Sequence, residues 1–410
     1  MRLSELEGRR VGIWGAGREG RAAAAAVERA GGHVEVMATD EAPSDLDRLD
    51  GCEVVIRSPG VSRYRPELAR MAEAGVVLTT GTNLFFAEPR TARVLGVSGT
   101  KGKSTTSAML AHLLRCAGDS VELGGNIGRP LLDLLALPEP DFYVVELSSF
   151  QISDLERGPD IAVMLNLYRE HTDWHGSEEA YGADKLRLLG LDRVRIAVVN
   201  ARDPRLSAAA GPGVEMRLFG NAEPPSIEAM PVRGEHNRLN LAAAIAAAGA
   251  VGVQVPDVHA AMSSFVALPH RLETVTKAGG VTWVNDSIAT TPEATIAALE
   301  TFSDQSVILI AGGYDRGQDY GNLGRAIAEH PGGATFIALL DTGRRIAASV
   351  PGERAHDEAK DLEAAVALAS RRASNGSVVL LSPAAPSFGA FRDFEERGER
   401  FRAAVTSHVK

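Results

Sequence analysis

Arg93-Val94-Leu95-Gly96-Val97-Ser98-Gly99-Thr100-Lys101-Gly102-Lys103-Ser104-Thr105 is the stretch that decides the fold. The apolar run Arg93–Val97 predicts a buried strand, and Thr105–Ala117 predicts a helix. Glycines between a strand and a helix let backbone N–H groups close around phosphate oxygens, and the helix N-terminus adds positive potential. A lysine at position 103 reaches outer phosphates, and a hydroxyl at Ser104 suits magnesium. The usual phosphate-loop pattern has a glycine where this chain has Val97. The plainer reading of the segment is a tight turn with a solvated lysine.

Outward from this loop the chain repeats one rhythm. Before it come apolar strands Val11–Trp14, His33–Ala38 and Glu53–Arg57, with a helical stretch, Arg21–Ala30, after the turn Gly15–Gly20. After it come strands Phe142–Leu147, Ile161–Leu167 and Arg195–Asn200 and a helical run, His236–Ala250. A third group holds strands Val281–Asn285, Val307–Ala311, Thr335–Leu340 and Ser377–Leu381. Short apolar strands alternating with helices mean βαβ units and parallel sheets. The prediction is an α/β chain of three domains, 1–90, 91–268 and 269–410, which suits 410 residues.

Composition narrows the class. The hydrophobic fraction of 45% and the charged fraction of 23% are ordinary for a globular protein. A net charge of -10 argues against a nucleic-acid surface. Two cysteines, Cys52 and Cys116, make no disulfide framework and fit a reducing compartment. No run approaches 18 apolar residues, so membrane insertion is not expected and a cytoplasmic location is.

Three further segments carry polar chemistry. Glu146 ends an apolar strand in Val144-Val145-Glu146-Leu147-Ser148-Ser149-Phe150-Gln151, at the edge where open α/β sheets bind ligands. His171 lies just past another strand, in Tyr168-Arg169-Glu170-His171-Thr172-Asp173-Trp174-His175, which makes it a ligand candidate. Lys185, in Tyr181-Gly182-Ala183-Asp184-Lys185, reads by itself as a surface lysine.

Together, Gly99–Thr105, Glu146–Gln151, Asn166–His175 and Gly234–Asn240 resemble the central ATPase domain of the Mur ligases, in their glutamate-adding branch. Pro269-His270-Arg271, Asn285-Asp286-Ser287 and Leu381-Ser382-Pro383 extend the resemblance into the third unit. It implies Rossmann-like first and third domains around a central P-loop ATPase domain. ATP would be held by Gly99, Thr100, Lys101, Gly102, Lys103, Ser104 and Thr105 with Asn237, Arg271 and Asp286. Two magnesium ions would be held by Ser104, Glu146, His171 and a carbamylated Lys185, with Lys103, His171 and Lys185 as the catalytic groups. Carbon dioxide captured by a neutral lysine amine gives an anion able to bind metal. Gly15, Ala16, Gly17, Thr39, Ser58, Gly60 and Asn126 would contact UDP-N-acetylmuramoyl-L-alanine, and Thr290, Arg316, Ser387 and Phe394 would contact glutamate.

The resemblance implies activation of a carboxylate as an acyl phosphate, then attack by the glutamate amine, in a monomer. Lys101, Trp174, Ile288 and Arg316 depart from the usual D-glutamate pattern. They point to a branch that adds L-glutamate and leaves inversion to a downstream epimerase, with neutral drift in a D-glutamate enzyme as the alternative. Rival readings are a dehydrogenase, from Gly15-Ala16-Gly17-Arg18-Glu19-Gly20 with Asp40 25 residues beyond Gly15, and a non-enzymatic P-loop switch. Folylpolyglutamate synthase and the other Mur ligases are closer rivals.

Overall fold

A computed structural model describes residues 1–39, 43–168, 172–222, 234–255, 257–266, 268–315, 317–352 and 356–408, with the side chains of 43–45 and 172–173 excepted. Asp40, His171 and Arg316 therefore lie outside the described residues.

The described strands build three sheets. The first contains β1 (Arg10–Trp14), β2 (His33–Ala38), β3 (Val54–Arg57) and β4 (Val77–Thr80), in the order β2-β1-β3-β4. The second contains β5 (Arg93–Ser98), β6 (Val121–Gly125), β7 (Phe142–Glu146), β8 (Ile161–Met164), β9 (Ile196–Asn200) and β10 (Glu215–Phe219), in the order β10-β9-β8-β5-β7-β6. Every pairing in these two sheets is parallel. The third contains β11 (Glu273–Ala278), β12 (Val281–Asn285), β13 (Val307–Ala311), β14 (Ala334–Leu339), β15 (Asp357–Ala359) and β16 (Val378–Leu381), in the order β11-β12-β16-β13-β14-β15. Only the β11–β12 pairing is antiparallel.

The apolar runs that mark these strands follow from burial on both faces. In the third sheet Val379 and Leu381 pack with Trp283 and Ile310 on one face, while Val378 and Leu380 pack with Val284 and Leu309 on the other. A parallel sheet clothed by helices on both sides needs this continuous apolarity. The first two sheets share one core: Val11, Ile13 and Ile56 belong to the same cluster as Phe85, Tyr143 and Met164. The chain accordingly forms two compact units that part between Phe265 and Val266, the first containing both of these sheets.

Strand order places the ligand edges. In the first sheet the chain crosses from β1 to β2 on one side and then to β3 on the other. In the second it runs from β5 past β7 to β6, and later to β8 across β5. Such reversals open a crevice at the carboxyl ends of the strands. The ends in question are those of β1, β3 and β5.

Candidate active site

In the first sheet, β1 and β3 end side by side. Ser58 donates its N–H to Trp14 O at 2.8 Å and its hydroxyl to Gly15 O at 3.1 Å. Gly15 has φ 112°, and a side chain there would run into Ser58, so glycine is required. Gly17 caps the helix Arg18–Arg29, and Gly15 N donates to Ala38 O of β2, which brings Thr39 to the same edge. Gly15–Gly17, Thr39 and Ser58–Gly60 thus share one rim of the sheet.

In the central sheet, the helix after β5 begins at Lys103, two residues earlier than the sequence suggested. Val97 is a fully buried strand residue paired with Glu146, so the loop proper starts only at Gly99. The departure at position 97 therefore falls in the strand and not in the loop. Gly99 and Gly102 have φ 152° and 86°, and a Cβ on Gly102 would overlap the Asn240 carboxamide oxygen. Asn240 in turn donates to Asn237 Oδ1 at 3.1 Å, so the helix Glu235–Ala250 brings Asn237 up to the loop. Lys103 Nζ donates to Gly99 O at 3.1 Å and to Thr100 O at 2.9 Å. Ser104 and Thr105 open the helix, both buried.

Two residues that sequence reasoning left out of the site hold this loop. Asn166, just past β8, accepts the Lys101 N–H at 2.8 Å and donates to Lys101 O at 3.0 Å. Tyr181 shares a 2.8 Å hydroxyl–hydroxyl bond with Thr100. The expectation of a surface lysine at 185 is corrected: Lys185 is 1% exposed. The helix Glu178–Leu186 buries its polar side, with Lys185 Nζ donating to Gly99 O at 2.9 Å and lying 5.3 Å from the Tyr181 ring centroid. Asp184 on the same side bonds His175.

Glu146 closes β7 beside the loop. One carboxylate oxygen accepts from Asn126 Nδ2 at 2.7 Å. The other, Oε2, is buried and has no hydrogen-bond partner among the described residues. A carboxylate oxygen left this way is costly unless something positive meets it.

The second unit gathers its candidates the same way. The loops after β12, β16 and β13 leave neighbouring strands at one edge of the sheet, and they carry Thr290, Ser387 and the segment before Arg316. Asp286 is buried, with Oδ1 accepting from Leu272 N at 3.1 Å and Oδ2 from Ser382 Oγ at 2.8 Å. Burial pushes its pKa up to about 7, against the smaller pull of the Ser382 bond and of Arg271. Arg397, which the sequence did not single out, is fully buried and ties these loops together. It donates to Ser287 Oγ (3.0 Å), Ser287 O (2.7 Å) and Ala385 O (3.0 Å), while Ser287 Oγ donates to Phe394 O at 2.8 Å. Burial lowers the Arg397 pKa to about 9.

Against known proteins, residues 97–230 match the Mur ligase middle domain and residues 270–385 the glutamate ligase domain of Mur ligases. The chain is 40% identical to a UDP-N-acetylmuramoyl-L-alanine–L-glutamate ligase of Xanthomonas euvesicatoria pv. vesicatoria, over 98% of this chain and 96% of that one. The chain belongs to the Mur ligase family. A protein of the same name from Salinispora tropica is also 40% identical, over 99% of both chains. Among solved structures, the Mur ligase MurF of Thermotoga maritima, in complex with ADP, superposes with a TM-score of 0.65 at 19% identity, covering 99% of this chain and 97% of that one. MurC of the same organism gives 0.63 at 18% identity, with 97% and 99% covered. These two likenesses concern the fold.

Membership makes the chain an ATP-dependent, ADP-forming acid–amino-acid ligase, and the dehydrogenase and P-loop-switch readings fall. The side chains present would suit a divalent metal: Glu146 Oε2, without a hydrogen-bond partner among the described residues, and the Ser104 hydroxyl are the hard oxygen donors that magnesium prefers. Of the departures noted in the sequence, Lys101 and Trp174 lie in the first unit, whereas Ile288 lies in the second, its N–H bonded to His270 O at 3.1 Å. Among the described residues no helix is long and apolar enough to cross a membrane.

Proposed function

We propose that this Mur ligase joins L-glutamate to UDP-N-acetylmuramoyl-L-alanine, converting ATP to ADP and phosphate. The carrying observation is 40% identity along the whole chain to proteins named for that reaction. In this reading residues 1–90 bind the uridine diphosphate through Gly15, Ala16, Gly17, Thr39, Ser58 and Gly60, residues 91–268 bind ATP, and residues 269–410 bind glutamate. Asn126 contacts the muramoyl moiety. Asn237, Arg271 and Asp286 serve ATP, and Thr290, Arg316, Ser387 and Phe394 serve glutamate.

The chemistry has two steps. A carboxylate oxygen of the alanyl group attacks the γ-phosphorus of ATP, the new C–O–P link forms, and the bond to the β-phosphate oxygen breaks to release ADP. The glutamate amine, having lost a proton, then attacks the acyl carbon, and the tetrahedral intermediate expels phosphate. Gly99–Gly102 N–H groups cradle the phosphates, and Lys103 turns from its loop carbonyls to neutralise the transferring group. Magnesium, held by Ser104, Glu146, His171 and a carbamylated Lys185, supplies further charge neutralisation when bound. The buried Lys185 amine, 2.9 Å from Gly99 O, stands where an added carboxylate would face the phosphate loop.

The product then carries L-glutamate, which a separate epimerase inverts, all in the cytoplasm and with the ligase as a monomer. The test supplies ATP, UDP-N-acetylmuramoyl-L-alanine and one pure glutamate enantiomer at a time. ADP release is expected only with the nucleotide-sugar and L-glutamate together. Efficient turnover of D-glutamate alone would overturn the stereochemistry, and ATP hydrolysis indifferent to both substrates would overturn the ligase reading.

A further inference from the structure

The loop after β3 has two halves. Its first half, Ser58–Gly60, lies on the rim assigned to the nucleotide-sugar. Its second half reaches the central sheet: Ser62 Oγ donates to Trp174 O at 3.1 Å, Arg63 bonds Ser153 O, and the Tyr64 hydroxyl donates to Asp184 Oδ2 at 2.8 Å. From Asp184 the bonding continues inward. His175 Nδ1 lies 2.7 Å from the same Asp184 oxygen, and His175 Nε2 lies 3.0 Å from Ser149 Oγ. His175, Asp184 and Ser149 are all buried, and Ser149 opens the turn three residues after Glu146.

The direction of each bond follows from chemistry. A carboxylate only accepts, so the Tyr64 hydroxyl and His175 Nδ1–H are the donors. The ring nitrogen left over, Nε2, then accepts the Ser149 proton, which fixes the orientation of that hydroxyl. Burial of the Tyr64 hydroxyl end, with the bond to Asp184, raises the phenol pKa and keeps it a donor. The ring assembly is stiff as well: Trp174 stacks on Phe150 at 4.5 Å and meets the Tyr64 ring edge-on at 5.9 Å.

We propose that Tyr64, Asp184, His175 and Ser149 form a positioning relay that transmits the seating of the nucleotide-sugar loop to the turn beside Glu146. None of the relay residues need touch the reacting atoms. Their task is to hold the Ser148–Gln151 turn in register only when the loop after β3 is docked. The inference rests on the assignment of Ser58–Gly60 to the nucleotide-sugar.

The relay can be cut at either end with Asp184 still paired. Tyr64→Phe removes the outer donor and keeps the ring. His175→Asn keeps a donor for Asp184 but is too short to reach Ser149. Hydrogen bonds to a charged group suggest that each single variant lowers kcat/KM for the nucleotide-sugar by about tenfold. The KM for ATP should stay within about twofold of the wild type. The double variant should lose about the same tenfold and not the hundredfold of two independent defects. A hundredfold loss, an unchanged kcat/KM in either single variant, or an equal rise in the KM for ATP would overturn the relay. Should His175→Asn fail to fold, Tyr64→Phe decides alone, because its ring is half exposed: a selective tenfold fall supports the relay and an unchanged kcat/KM ends it. Wild-type inactivity on this nucleotide-sugar would instead fail the substrate assignment, which separates the two outcomes.

Discussion

Asp286→Asn should remove a pH dependence built into the second unit. The carboxyl is buried, and its folded pKa of about 7 stands well above the unfolded value of 3.8. Between those two values the unfolded chain has released the proton and the folded chain has kept it. Stability from this group is therefore complete below about pH 4 and is lost as pH rises to about 7. A rise from 3.8 to about 7 corresponds to about 4 kcal/mol, taken as an upper bound for a group that also interacts with Arg271 and Arg397. Asparagine has no charge to bury, yet it can accept from Leu272 N and face the Ser382 hydroxyl, which already has Thr295 Oγ1 as another partner at 3.1 Å.

The quantity to measure is the difference between variant and wild type, because other carboxylates slope the opposite way. Asp357 and Asp393, held below the usual range by the Arg372 bond and the Glu396 N–H respectively, gain stability as pH rises. Urea unfolding followed through Trp283, with Trp14 and Trp174 replaced by Phe, reports the second unit alone, since those two tryptophans lie in the first. From pH 4.5 to 7.5 the variant should gain about 2–4 kcal/mol relative to wild type. Parallel stability curves for the two proteins over that range would refute the argument.

Gly102→Ala should lower ATP turnover by at least about tenfold with little change in melting, since a methyl group at φ 86° would push Asn240 off the phosphate loop. Arg397→Met should destabilise the second unit by about 3 kcal/mol in the same urea assay, because Ser287 O and Ala385 O lose buried donors. Lys185→Ala should be nearly inactive and regain part of its activity with acetate or formate; a fully active variant would return this lysine to a packing role.

What the sequence revealed of the fold divides by position in the sheets. Core strands such as Val307–Ala311 and Val281–Asn285 are where the apolar runs put them. The strands that sequence reading passed over, β4, β6, β10, β11 and β15, are all sheet edges. An edge strand has one hydrogen-bonding partner and thinner cover, so its residues need not be continuously apolar. Glu215–Phe219 keeps Met216 and Leu218 in solvent, and Val121–Gly125 ends in a glycine pair that reads as a loop.

The site was legible where chemistry leaves a motif and illegible where it leaves only burial. Gly99–Ser104 and Glu146 carry recognisable types at strand ends. Lys185 and Arg397 do not, since hydrophobic patterning assigns charged side chains to the surface. Yet the helix Glu178–Leu186 buries Tyr181, Asp184 and Lys185, which at spacings of three and four share one face. Each of the three meets a polar partner: Thr100 Oγ1, His175 Nδ1 and Gly99 O. Burial of a polar face becomes favourable only when the opposing surface is itself rich in backbone carbonyls and hydroxyls, and a phosphate-binding loop is such a surface. A polar helix that follows a P-loop strand pattern and has no apolar stripe is therefore better read as facing the loop than as facing water.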